Sequence, residues 1–257
     1  SDLPCVIVNV MRGGPGLGGI QPSQSDYWQA TRALGHGDFQ ILVFAPSTVQ
    51  EMADLMGRAF DEADKYRMPA MILADGLLGQ MMEPVTFKVG EIQHHDASEK
   101  PWATNGHGNK RRHNIVNSLY LQAEELERLN IERFERYEIV KKELHEAEDA
   151  DIVVAAYGSV ARLAKAAVDR AREAGIKAGL VRPVTLWPFP VQEVREACRN
   201  AKRVLCVEMS MGQMIDDVKL ALDCRIPVEF YGRTGGVVPK PTAIFEQIKL
   251  LSEKEAE

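Results

Sequence analysis

The chain has 257 residues, 45% of them hydrophobic and 26% charged, which allows one or two domains with buried cores and excludes a disordered chain. Its formal net charge of −6 leaves no broad cationic field for phosphate backbones, so a general nucleic-acid partner is excluded. No apolar run approaches the roughly 18 residues that a membrane span needs.

The chain opens Ser1-Asp2-Leu3-Pro4, without a leader-like segment, and enters the apolar run Cys5 to Val10 almost at once. A run apolar at nearly every position reads as a strand buried on both faces, as in a parallel sheet. Its neighbours have to be found elsewhere, and with no initiator methionine the sequence reads as a piece of a longer protein. A short helix is expected over Ser25 to Leu34 and a second buried strand over Ile41 to Ala45. Ser47 and Gln50 form a capping box for a helix that runs to about Tyr66, with Leu55, Ala59, Phe60 and Ala63 on one face. Met68-Pro69 breaks it, and a third strand from Ala70 to Ala74 ends in the turn Asp75-Gly76.

Periodicity lapses between Gly90 and Asn114, where prolines, glycines and the solvated Lys110-Arg111-Arg112 patch indicate a linker. A long charged helix between Ser118 and His145 carries Leu126, Phe134, Tyr137 and Val140 on an irregular apolar face, which packs between domains. A strand over Ile152 to Tyr157 follows. Gly158-Ser159 turns and caps a helix over Val160 to Ala174, closed by Gly175 in the left-handed region. Strands at Ala178 to Val181, Val204 to Glu208 and Val228 to Tyr231, with helices at Val191 to Asn200 and Gln213 to Leu222, make a second α/β sheet complete in itself. The prolines of Pro183 to Pro190 force an extended path between.

The sharpest local feature is Arg12-Gly13-Gly14-Pro15-Gly16-Leu17-Gly18-Gly19, directly after the first strand. Gly14, Gly16 and Gly19 fit G-x-G-x-x-G, but the last glycine does not open a helix and Asp38 precedes the second strand, so a dinucleotide fold is rejected. What remains is a glycine loop at the carboxyl end of a parallel strand, where open α/β sheets place ligands. Arg12 at its root either holds a carboxylate or pairs with an acid such as Asp26 to fix the loop. Glu208 to Gln213 either touches a ligand or braces the fold, and Gly232-Arg233-Thr234-Gly235-Gly236 either binds an anion or a partner or, more ordinarily, is a tight turn with a surface arginine. His94-His95-Asp96 reads as a solvated loop. Cys5, Cys198, Cys206 and Cys224 lie among apolar neighbours without Cys-x-x-Cys spacing and read as buried, reduced thiols.

Val10 to Gly18, Gln21-Pro22-Ser23-Gln24-Ser25-Asp26, His36-Gly37-Asp38, Pro46 to Tyr66 and Asp75 to Glu83, followed by the stretch from Ile152 to Gly236, resemble the α subunit of the 2-oxoacid:ferredoxin oxidoreductases. The resemblance covers nearly the whole chain. It implies two three-layer α/β/α domains: an incomplete thiamine-diphosphate pyrimidine-binding domain over residues 1–92, a linker and long helix over 93–147, and a transketolase C-terminal-like domain over 148–257. It also implies the chemistry. Thiamine diphosphate attacks the keto carbon of a 2-oxoacid, carbon dioxide leaves, electrons pass to iron–sulfur clusters and ferredoxin, and coenzyme A takes the acyl group.

On that resemblance Arg12 holds the substrate carboxylate, and Gly13, Gly14, Pro15, Ser25 and Asp26 belong to the substrate or subunit-interface loop. The Gly-Asp-Gly signature that holds Mg2+ and pyrophosphate is absent and is assigned to a β subunit. No segment before Leu3 matches the family's opening stretch with its activating glutamate. Iron–sulfur clusters are assigned to other subunits, γ and δ subunits complete a cytoplasmic hetero-oligomer, and the chain alone is expected to be inactive. The loop Gly13 to Gly18 and Gly79-Gln80-Met81-Met82-Glu83 are closer to the 2-oxoisovalerate type than to the 2-oxoglutarate type. A non-catalytic docking scaffold is the reading from another class, and a homodimer through the sheet edge is a further expectation.

Overall fold

The computed structural model describes residues 1–32, 35–87, 100–143, 147–148 and 153–253. Strands β1 (Val6–Met11), β2 (Leu42–Phe44) and β3 (Ala70–Asp75) are parallel, with β3 between the other two. Helices α1 (Tyr27–Arg32) and α2 (Val49–Tyr66) lie on the connections. The expected capping box of α2 is shifted by one residue. Thr48 accepts from the Glu51 N–H at 3.1 Å, and the Glu51 carboxylate returns to the Ser47 N–H at 2.8 Å. A carboxylate is the stronger acceptor, and Gln50 instead clasps the backbone of Thr86 through both ends of its amide. Leu55, Ala59, Ala63 and Tyr66 are buried beneath α2, whereas Phe60, expected on that face, is 56% exposed.

Beyond β3 the chain does not simply turn. Asp75 is the N-cap of a short helix, α3 (Gly76–Gln80), its Oδ1 accepting from the N–H groups of Leu77 and Leu78. The long helix, α4 (Ala123–Glu143), starts five residues later than expected. Before it, Asn117 bends the chain by accepting from the Leu119 N–H. Tyr137 and Val140 of α4 are buried with Leu42, Phe44 and Leu55. The helix therefore packs on the first sheet, and its Tyr137 ring also meets Trp187 of the second unit, 5.7 Å between centroids.

The second sheet contains β4 (Ala147–Glu148), β5 (Val153–Ala155), β6 (Gly179–Pro183), β8 (Val204–Glu208) and β9 (Val228–Gly232) in the order β4-β6-β5-β8-β9. All neighbours in it are parallel except β4 with β6. Its helices are α5 (Gly158–Glu173), α6 (Val191–Ala197), α7 (Met214–Ala221) and α8 (Pro241–Glu253). The last of these had no counterpart in the sequence reading. Helices α5 and α8 cover one face of the sheet through Val160, Ala164, Val168, Ile244 and Ile248. Both α/β units were foreseen, but the second is not self-contained. Residues Thr185–Trp187 form β7, which leaves the second sheet and pairs antiparallel with β2, giving the first sheet the order β1-β3-β2-β7.

The two sheets share their interior. One apolar cluster joins Met11, Val43, Met71 and Leu73 of the first unit to Val153, Tyr157, Val181 and Leu186 of the second. At the other extreme lies β1. As an edge strand it leaves Ile7, Val8 and Val10 between 38% and 45% exposed, where burial on both faces was expected. Two thiols also depart from expectation: Cys198 and Cys206 are buried, but Cys5, just before the edge strand, and Cys224, in the turn after α7, are exposed.

Candidate functional site

The glycine loop leaves the carboxyl end of β1 and folds back on itself. Gly13 N–H donates to Gln21 O at 2.7 Å and Gly19 N–H to Gly13 O at 2.8 Å, and Arg12 makes a bridge with Pro22. The Gly14–Pro15 peptide is cis. Gly18 sits at φ +45°, where a Cβ would stand 2.0 Å from Gly13 O, so only glycine fits. Arg12 is exposed and threads through this turn. Its Nη1 donates to Leu17 O at 2.6 Å, with longer contacts to Gly13 O and Gly19 O, and its Nη2 donates to Gly16 O at 3.1 Å. None of these bonds uses Nε.

Asp26 is not its partner: that carboxylate accepts from Asn9 Nδ2 at 3.2 Å. Ser25 belongs to a different contact, its backbone carbonyl accepting from Gln213 Nε2 at 2.8 Å. Gly13 touches the second glycine loop. A Cβ on Gly13 would come within 3.3 Å of the Gly235 and Gly236 backbone, and one on Gly236 would meet Gln21 Cβ at 2.2 Å. The two glycine-rich strings that the sequence displays 220 residues apart are thus pressed together at the carboxyl edges of both sheets, with Arg12 and Arg233 flanking the contact. Around it Leu17, Ile20 and Met211 are 94%, 79% and 76% exposed.

Beneath this rim lies a buried polar seam that the sequence did not reveal. Gln24, fully buried, donates from Nε2 to Tyr157 O at 2.9 Å and accepts the Met209 N–H at 3.0 Å. Its backbone N–H reaches Met209 O, and Tyr157 Oη donates to its carbonyl. Ser159, expected to cap α5, instead donates to Asp75 Oδ2 at 2.6 Å across the two units. Glu208 is fully buried and accepts from the backbone N–H groups of Gln213, Met214 and Ile215 and from Ser210 Oγ. The Glu208 to Gln213 stretch is therefore a brace at the start of α7. Tyr27 Oη donates to Asp217 at 2.6 Å, and burial, then the Asp217 charge, push the Tyr27 pKa well up.

The thiamine-diphosphate-binding domain of pyruvate flavodoxin/ferredoxin oxidoreductases matches residues 1–155, and core domain II of pyruvate:ferredoxin oxidoreductase matches residues 150–244. Ketoisovalerate oxidoreductase subunit VorB of Methanothermobacter marburgensis is 45% identical over 97% of this chain and 71% of its own length. The chain belongs to the 2-oxoacid:ferredoxin oxidoreductase family. The 2-oxoglutarate synthase subunit KorA of the same organism is 34% identical over 96% of this chain and 74% of its own. A 2-oxoglutarate:ferredoxin oxidoreductase from Magnetococcus marinus shares the fold, with TM-score 0.76 and 22% identity over 97% of this chain and 49% of that one.

For an oxidoreductase of this family, the donor sets matter. Among the described residues no group of three or more His, Cys, Asp or Glu converges on one point. The buried carboxylates nearest the rim, Asp75 and Glu208, are saturated by hydroxyl and backbone donors. The described residues do not by themselves make a metal site. No described helix is long and apolar enough to cross a membrane.

Proposed function

We propose that the chain is the α-type portion of an enzyme that oxidatively decarboxylates a branched-chain 2-oxoacid, such as 2-oxoisovalerate, to the acyl-coenzyme A. Arg12 holds the acid's carboxylate through its Nε and Nη2 edge, while Gly13, Gly14 and Pro15 let the ligand and a partner polypeptide approach the backbone. Ser25 and Asp26 hold the loop's return path. The observation that carries this reading is the Arg12 guanidinium itself, fixed by loop carbonyls and, among the described residues, without an acidic partner. Such a group is preorganised for a carboxylate.

The exposed Leu17, Ile20 and Met211 around the loops favour a partner docked over them. In this reading a β subunit supplies the pyrophosphate and Mg2+ site, so that thiamine diphosphate lies between the two chains. Further γ and δ subunits carry iron–sulfur clusters toward ferredoxin in a cytoplasmic assembly. Residues 1–92 serve as the pyrimidine-binding unit, 93–147 as the linker and 148–257 as the transketolase C-terminal-like unit. The higher identity to ketoisovalerate than to 2-oxoglutarate subunits, 45% against 34%, supports the branched-chain acid.

The test is Arg12→Ala in the complex assembled with its partner subunits, assayed for acyl-coenzyme A formation with ferredoxin. A lost clamp lowers kcat/KM for 2-oxoisovalerate by about 2–5 kcal/mol of transition-state stabilisation. Unchanged turnover would instead fit a docking scaffold, and a strong preference for 2-oxoglutarate would overturn the substrate assignment. The isolated chain is expected to show no turnover.

A further inference from the structure

The loop that carries Arg12 rests on buried residues outside it. Asp75, 1% exposed, ends β3 in register with Met11, the residue before Arg12. Its Oδ1 is taken by the first turn of α3, where the Leu77 and Leu78 N–H groups donate to it at 2.9 and 3.2 Å. Its Oδ2 accepts from Ser159 Oγ at 2.6 Å. Ser159 is equally buried and stands in the first turn of α5, whose Val160, Ala161 and Ala164 are anchored in the core of the second unit. A carboxylate gripped at both oxygens holds its rotamer, so the second unit fixes where α3 begins.

The start of α3 is the platform under the glycine loop. Gly76, its first residue, lies so near the root of the loop that a Cβ on it would stand 3.3 Å from Pro22 Cα and 3.6 Å from Met11 O. Met11 leads into Arg12 and Pro22 bridges to Arg12, so Gly76 meets both arms of the hairpin that carries the guanidinium. The second unit also packs on the carboxylate directly. Gly158 sits at φ +57°, and a Cβ there would meet Gln24 Nε2 at 3.1 Å and Asp75 Oδ2 at 3.6 Å. The returning arm is tied to the same unit, since Ser23 Oγ donates to Met209 O at 3.2 Å.

A shift at this root is passed on to the guanidinium, because the carbonyls that hold Arg12 belong to the same loop. Displacing a substrate-holding group by about 1 Å is enough to cost roughly a hundredfold in rate.

We propose that Asp75 and Ser159 are positioning residues for the Arg12 clamp, by which the second unit sets where the guanidinium meets the 2-oxoacid carboxylate. The inference rests on the clamp reading of Arg12. It is tested in the complex assembled with its partner subunits, with 2-oxoisovalerate and coenzyme A varied separately. Ser159→Ala frees Asp75 Oδ2, and Gly76→Ala presses a methyl on Pro22 while leaving the Asp75–Ser159 bond in place. Each should raise KM for the 2-oxoacid about tenfold and leave KM for coenzyme A unchanged. Partial loss of folded or assembled enzyme would lower kcat alone, so the split separates positioning from a merely structural role. In an Arg12→Ala background neither substitution should raise KM further, since the group they position is gone. Asp75→Asn can still accept at Oδ1 and donate to Ser159 Oγ, so it should recover most of what Asp75→Ala loses. An unchanged 2-oxoacid KM in both Ser159→Ala and Gly76→Ala, effects that add to that of Arg12→Ala, or no recovery in Asp75→Asn overturns the proposal while the clamp stands. An Arg12→Ala complex with the wild-type KM would instead remove the clamp reading, and this proposal with it.

Discussion

Arg12 and Asp217 show how differently two charged residues are used. Arg12 stays exposed and spends its donors on the carbonyls of its own loop, whereas Asp217 is drawn into the contact between α1 and α7. Burial raises the Asp217 pKa, against the Tyr27 hydrogen bond and the Arg32 charge. The folded chain therefore binds that proton more tightly than the unfolded chain does. The sign follows: this contribution to stability is full below the ordinary value of 3.8 and is lost as pH rises through the raised folded value. Asp217→Asn cannot ionise, so urea unfolding across that range should show wild type losing stability relative to the variant as pH rises. Equal slopes would contradict it. At this scale Arg12 and the glycines were legible because special backbone geometry demands special residues. Gln24 was not, since a buried glutamine looks like a surface one until both of its partners, here Tyr157 and Met209 more than 130 residues away, are brought to it.

Among the elements, β1 carries the clearest consequence. Its apolar composition predicted burial, and that composition is unmatched by its surroundings: Val8 and Val10 point to one side and Ile7 to the other, all substantially open, with a backbone edge that no described strand pairs. The isolated chain should therefore self-associate in sedimentation velocity, and Val8→Lys should shift it toward monomer, because a lysine on a strand edge opposes pairing. A strictly monomeric wild type would show that the edge is inert. The strands β1, β3, β5 and β8 and the helices α2 and α5 were read from apolar runs and stripes, whereas α8, β4 and β7 were missed. The misplaced elements share a physical cause, a local signal answered by a distant partner. The α2 cap moved to Thr48 because Glu51 is also held by Arg182, at 3.0 and 3.1 Å, from the second unit. The proline-bounded Thr185–Trp187 reads as a connector, and only the free edge of β2 makes it a strand. α3 hides behind an Asp-Gly pair that also signals a turn.

For the molecule as a whole, the shared apolar cluster, the Gln24 and Ser159 seam and the Arg182–Glu51 ion pair bind the two units into a single cooperative body. Scanning calorimetry should show one unfolding transition. Gln24→Ala strands a buried N–H and a buried carbonyl, costing about 2–4 kcal/mol, which lowers the midpoint by roughly 5–10 °C. Two resolved transitions in the wild type would refute this coupling. The crossing strand β7 has a consequence for how such a protein is encoded. A reading frame broken in the linker before β4 would yield an upstream product lacking the outermost strand of its own sheet. Breaking it after Trp187 would restore that sheet but take β8 and β9 from the other. Gene fission at either point leaves one product with an open seam, so continuity of the coding sequence through this region is itself under structural constraint.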